Sequence, residues 1–103
     1  MSNHDFTQLF ARYPDLIAQM PETFTSHDFI KALSQQNQAL YIEALYSYRD
    51  SLYKGIPAPF MVTHSILAKQ LVNYPELVQY THDVPSVDLF GQAGDCAEWR
   101  KAL

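Results

Sequence analysis

The run Phe24-Thr25-Ser26-His27-Asp28-Phe29 writes a helix start in three ways at once, and it constrains the chain more than any other feature. Thr25 predicts an N-cap. Asp28, three residues on, is placed to return a short-armed capping-box bond to the Thr25 amide, and Phe24 and Phe29 stand at the two positions of a hydrophobic staple. The register of the middle of the protein follows from this, but the signal concerns folding and carries no chemistry.

Prolines punctuate the rest of the chain, because the residue before a proline avoids helical angles and proline itself suits a first helical turn. Boundaries are expected at Tyr13-Pro14, Met20-Pro21, Ile56-Pro57, Ala58-Pro59, Tyr74-Pro75 and Val84-Pro85. Phe6, Leu9 and Phe10, then Leu16, Ile17 and Met20, each keep the spacing of one helix face and predict two short helices. The capped helix runs over 26–34. The polar stretch Ser34-Gln35-Gln36-Asn37 breaks it, unless the helical phase of Leu33, Asn37 and Leu40 carries it through.

A further helix is expected over 38–53, with an apolar girdle wider than one packing contact needs. Tyr41, Leu45, Tyr48 and Leu52 form one stripe, and Ile42, Tyr46, Arg49 and Tyr53 a second beside it. After the loop Lys54-Gly55-Ile56-Pro57-Ala58-Pro59, Thr63 reads as an N-cap of a helix 64–73, with Val62 and Leu67 at staple positions. The tail predicts a capped turn from Ser86, then a last helix from Cys96 capped by Asp95. Strand signals are few, and at most the region Gln79–Val87 makes a small hairpin. The expected fold is therefore all-α or mainly α, a compact bundle of about five or six short helices in one domain over 1–103.

Composition narrows the classes of function. Apolar residues are 48% of the chain and aromatics 14% against 17% charged, so the chain carries too much hydrophobe for disorder. The net charge is −4, and the 7 lysines and arginines are scattered except for Arg100-Lys101. Nucleic-acid binding draws on clustered cations, so this balance counts against a stand-alone DNA or RNA binder and against a membrane surface. Cys96 is the single cysteine, which argues for a reducing compartment without an internal disulfide. Met1-Ser2-Asn3-His4-Asp5 opens no cationic and apolar leader, and no segment approaches the roughly 20 apolar residues of a membrane span, so a cytoplasmic location is expected.

Candidate chemistry is sparse. His4, His27, His64 and His82 never fall at i, i+4, and their neighbouring Asp5, Asp28 and Asp83 point different ways, so no metal is called. His27 and His64 read as ordinary structural imidazoles. Cys96 is flanked by Asp95 and Glu98, whose charge opposes a thiolate. Gly91 and Gly94 match no phosphate loop, no cofactor is called, and the chain is read as non-catalytic.

Two functional readings remain. In the first, the chain is a protein-interaction or accessory domain, with Ile42, Tyr46, Arg49 and Tyr53 meeting a protein partner or a second copy; the competing account buries both stripes inside the bundle. In the second, a capped helix, a following helix and the segment Thr63–Leu71 with a wing after it look like a winged helix or helix-turn-helix. Ser65, Ile66, Lys69, Gln70 and Asn73 would then face a DNA groove. That face holds a single cation, and the linker before it exceeds the 3–4-residue turn of about the tight helix-turn-helix type, so the interaction reading ranks first. An aromatic pocket between helices, holding a small molecule, is a third.

Overall fold

A capping box opens the longest-range organiser of the molecule. In the computed structural model, which describes residues 4–102, Asp28 N–H donates to Thr25 Oγ1 at 3.1 Å and Thr25 N–H donates to Asp28 Oδ2 at 3.2 Å. The expected start of the 26–34 helix is therefore present, with Phe24 and Phe29 rings 6.0 Å apart in the staple. Met1-Ser2-Asn3, part of the leader reading, lie outside the described residues.

The element order is α1 (Thr7–Phe10), α2 (Tyr13–Gln19), β1 (Thr23–Thr25), α3 (Ser26–Gln36), α4 (Gln38–Ser47), β2 (Leu52–Tyr53), β3 (Ile56–Pro57) and α5 (Pro59–Lys69). A 3₁₀ turn, Gln70–Asn73, then leads into β4 (Val78–Val87) and β5 (Ala93–Lys101). Among the described residues helix accounts for 47% and strand for 26%, which overturns the all-α bundle expected from periodicity. A three-stranded antiparallel sheet, β1-β5-β4, and the small hairpin β2-β3 stand where helices or loops were expected.

The largest correction is at the C-terminus. Cys96 does not open a helix capped by Asp95; both lie on β5, the central strand, with Asp95 opposite Pro85 and Cys96 opposite Val84. Ala97-Glu98-Trp99-Arg100-Lys101 has helix-compatible residues, but pairing on both sides decides the conformation, as strand preference follows neighbours more than intrinsic propensity. Trp99 is the reason. It stands between Phe24 on β1 and Tyr80 on β4 in an aromatic row across the sheet. Its indole N–H donates to Ser26 Oγ at 2.9 Å, in the first turn of α3, so the sheet and the capped helix are tied through one buried bond. Gln79–Val87, expected to form a hairpin by itself, is one long strand whose partner is β5. A bulge leaves Thr81 unpaired, and its hydroxyl donates to Glu98 Oε2 at 2.9 Å.

Helix 38–53 is shorter than expected. It ends at Ser47, and Lys54 (φ 54°) and Gly55 (φ 80°) form a tight turn joining β2 to β3. Two successive positive φ angles mark the turn that matches the twist of paired strands. Leu52 and Tyr53 thus leave the helical stripes for a strand. The helix expected over 64–73 behind a Thr63 cap begins at Pro59, with Ala58 as its N-cap, because proline is pre-organised for a first turn. Thr63 is instead buried inside α5, and its hydroxyl is without a hydrogen-bond partner among the described residues.

One buried cluster joins α1, α2 and α3 to α5 and the sheet, built on Leu9, Tyr13, Phe29, Leu33, Leu67, Leu71 and Trp99. Tyr13 lies at its centre. Its hydroxyl donates to the Leu67 carbonyl at 2.6 Å, and burial pushes the phenol far above its ordinary pKa. Lys101 closes the other end, donating through Nζ to the carbonyls of Ala18 and Met20 where α2 ends.

Candidate functional site

The outward side of α4 is where folding and surface chemistry part. Ala44 and Tyr48 face the core, Tyr41 and Leu45 are half-buried, and Ile42 and Tyr46 are 61% and 67% exposed. The four residues singled out as a second stripe do not share one helix. Ile42 and Tyr46 lie on α4, Arg49 lies in the turn after it, and Tyr53 lies on β2. Arg49 nevertheless returns to the helix, with its guanidinium 5.5 Å from the Tyr46 ring centre and its Nε 3.3 Å from Asp50 Oδ2. Lys54 repeats the pattern on the hairpin, its ammonium 5.4 Å from the Tyr53 ring centre. An open cleft of about 910 Å³ runs from Tyr46 to Leu52 and is closed by Val62 of α5.

Sequence periodicity missed part of this surface. Leu52 belongs to the stripe assigned to the core, yet it is 62% exposed, and Ile56 across the hairpin is 66% exposed. The available signal was Lys54-Gly55 flanked by apolar pairs, which a hairpin reading would have placed in a two-residue turn.

The five residues of the nucleic-acid reading are split. Ser65, Lys69 and Asn73 are exposed, whereas Ile66 packs against the core and Gln70 is half-buried. Gln70 donates to the Tyr74 hydroxyl at 3.2 Å and accepts from Asn73 Nδ2 at 2.9 Å, so two of the polar groups are engaged with each other. Gln70 and Asn73 also sit in the 3₁₀ turn beyond α5. Between Lys69 and Arg100 there is no lysine or arginine, while Glu76, Asp83, Asp88, Asp95 and Glu98 lie on or beside the β4-β5 hairpin. A phosphate backbone would meet repulsion there.

A second cleft lies where α3, the start of α5 and the hairpin tip converge, lined by His27, Pro59, Phe60, His64, Asp88 and Phe90 among others. His64 Nε2 is 2.6 Å from the Tyr41 hydroxyl, and His27 Nδ1 is 3.0 Å from Ser86 Oγ. Burial lowers the His64 pKa, and burial raises that of Tyr41, so each is held in its neutral form. Asp88 is held in its charged form instead: its Oδ1 accepts the Gln92 and Phe90 amides at 3.0 and 2.8 Å, which holds the carboxyl below its usual range.

Among the described residues no group of three or more His, Cys, Asp or Glu side chains is placed to hold a metal ion, and no helix is long and apolar enough to cross a membrane. Cys96 is buried, with its sulfur accepting the His27 amide at 3.3 Å. No protein-family model matches the chain, and no curated protein or solved structure matches it either.

Proposed function

We propose that the protein is a non-catalytic interaction module, working in the cytoplasm, that engages a protein partner or a second copy through the outward face of α4 and the β2-β3 hairpin. The observation that carries this reading is the exposure of Ile42, Tyr46 and Leu52, of which Tyr46 and Leu52 line one open cleft and Ile42 and Tyr46 share the outward face of α4, with Arg49 over the Tyr46 ring and Lys54 over the Tyr53 ring beside them. Apolar side chains scattered singly are ordinary on a surface, but a clustered set rimmed by charge is the pattern of a contact site. Tyrosine and arginine suit such a site, since each offers wide contact area with a polar end. A buried leucine or isoleucine gains about 1.5–3 kcal/mol over an exposed one, so leaving these in water is a cost that a partner would remove.

A pull-down of the tagged protein from lysate of its own source, with and without nuclease, tests the reading. A stoichiometric protein that survives nuclease supports it. Recovery of DNA or RNA that nuclease abolishes favours instead a DNA-binding regulator using the exposed Ser65, Lys69 and Asn73 of α5 and the 3₁₀ turn after it, a reading opposed by the acidity of the hairpin that follows.

A further inference from the structure

The cleft at the hairpin tip is separate from the α4 surface, and its chemistry is different. It encloses about 420 Å³, within the range of sites that hold a side chain or a small organic group. Its walls are aromatic: Phe60 and Phe90 are both exposed, with ring centres 4.7 Å apart in an edge-to-face pair, and Phe60 meets the His64 ring at 5.9 Å. Its charge is negative, because Asp88 faces it and Gln92 and the loop amides hold that carboxylate ionised.

We infer that this cleft binds an alkylammonium group, presented either by a small amine or by a lysine side chain. A ring face attracts a cation through its quadrupole, and an ionised carboxylate beside the ring supplies the opposite charge; together they form the usual recognition pair for ammonium groups. The alternative ligand, an anion held by the two imidazoles, is disfavoured by the same geometry. His64 is kept neutral by burial and is engaged by Tyr41, and His27 Nδ1 is engaged by Ser86. The surrounding field agrees, since the chain carries a net charge of −4 and the hairpin that forms the cleft rim is free of lysine and arginine over residues 78–99.

Amide chemical-shift mapping of the full chain at constant ionic strength tests this with tetramethylammonium chloride, choline, the peptide acetyl-Gly-Lys-Gly-amide and sodium phosphate as probes. Saturable shifts at Phe60, His64, Phe90 and Gln92 with the cations are expected, at millimolar affinity. Stronger response to choline assigns a free quaternary ammonium compound, and stronger response to the capped peptide assigns a lysine side chain. Asp88→Asn retains a carbonyl oxygen for the two loop amides and should weaken binding about tenfold; Phe90→Leu retains apolar volume without the ring quadrupole and should weaken it about threefold. The inference is overturned if those amides stay still at about 10 mM cation, if both variants bind as the wild type does, or if phosphate shifts the same amides and competes the cations away.

Discussion

Tyr13 and Tyr46 are the same residue put to opposite uses, and they stand for two regions of the molecule. Around Tyr13, the aromatic rings of Phe10, Phe29 and Tyr74 pack on every side, the ring is 0% exposed, and the hydroxyl finds the Leu67 carbonyl. Around Tyr46 the ring lies in water, with Arg49 over its face and no core neighbour to complete its packing. The first region shows apolar surface spent on folding, with its polar atom satisfied. The second shows apolar surface that folding leaves unused. Tyr13 opens α2 and Tyr46 lies near the end of α4, so the difference arises from which elements the topology brings against each.

The comparison breaks most directly by truncation. Tyr13→Ala should cost about 3–5 kcal/mol by chemical denaturation, from the cavity left and the loss of the bond to Leu67. Against a total of about 5–15 kcal/mol for a domain of this size, that is severe. Tyr46→Ala should stay within about 0.5 kcal/mol of the parent in the same experiment. Equal costs at both positions would erase the distinction.

A smaller effect sharpens the core side. Thr63 lies inside α5 with a buried hydroxyl that has no partner among the described residues, so Thr63→Val, which keeps the shape and removes the polar atom, should raise stability by about 1 kcal/mol. A loss of stability would mean that the hydroxyl is satisfied in solution.

The smallest effect concerns the half-buried ground between the regions, where His64 links α5 to Tyr41 of α4. Burial lowers its folded pKa below the ordinary 6.5, with Asp88 opposing the shift and His27 adding to it. Between the two values the unfolded chain binds more protons, so this contribution is complete above about pH 6.5 and is lost as pH falls through that value toward the folded pKa. Melting temperature measured from pH 8 to pH 5 should decline over that window, and His64→Gln should flatten the decline. An unchanged slope in the variant would assign the pH dependence to other groups.

How much of this was legible depended on whether the deciding interaction was local. The Thr25 cap could be read because its partners are three residues apart, and the proline boundaries at Met20-Pro21, Ala58-Pro59 and Tyr74-Pro75 because proline acts on its own neighbours, whereas Val84-Pro85 falls inside β4 and Ile56-Pro57 forms β3. β5 could not, since Trp99 is a strand residue by virtue of Phe24 and Tyr80, far away in the chain. The end of α4 failed for a related reason: Tyr41, Leu45, Tyr48 and Leu52 keep helical phase, and only the turn at Lys54-Gly55 decides that Leu52 leaves it. In the candidate surface, Ile42 and Tyr46 could be singled out by the excess width of the helix, while the exposure of Leu52 and Ile56 follows from the hairpin, which only the Lys54-Gly55 pair announces.

The most direct test of the account is the solution mass and partner capture of the double variant Tyr46→Glu with Tyr53→Glu, read beside its melting curve. The account predicts that association with a second copy or a captured partner is abolished while helical content and cooperative melting match the parent. A variant that unfolds, or one that associates as the parent does, would contradict it.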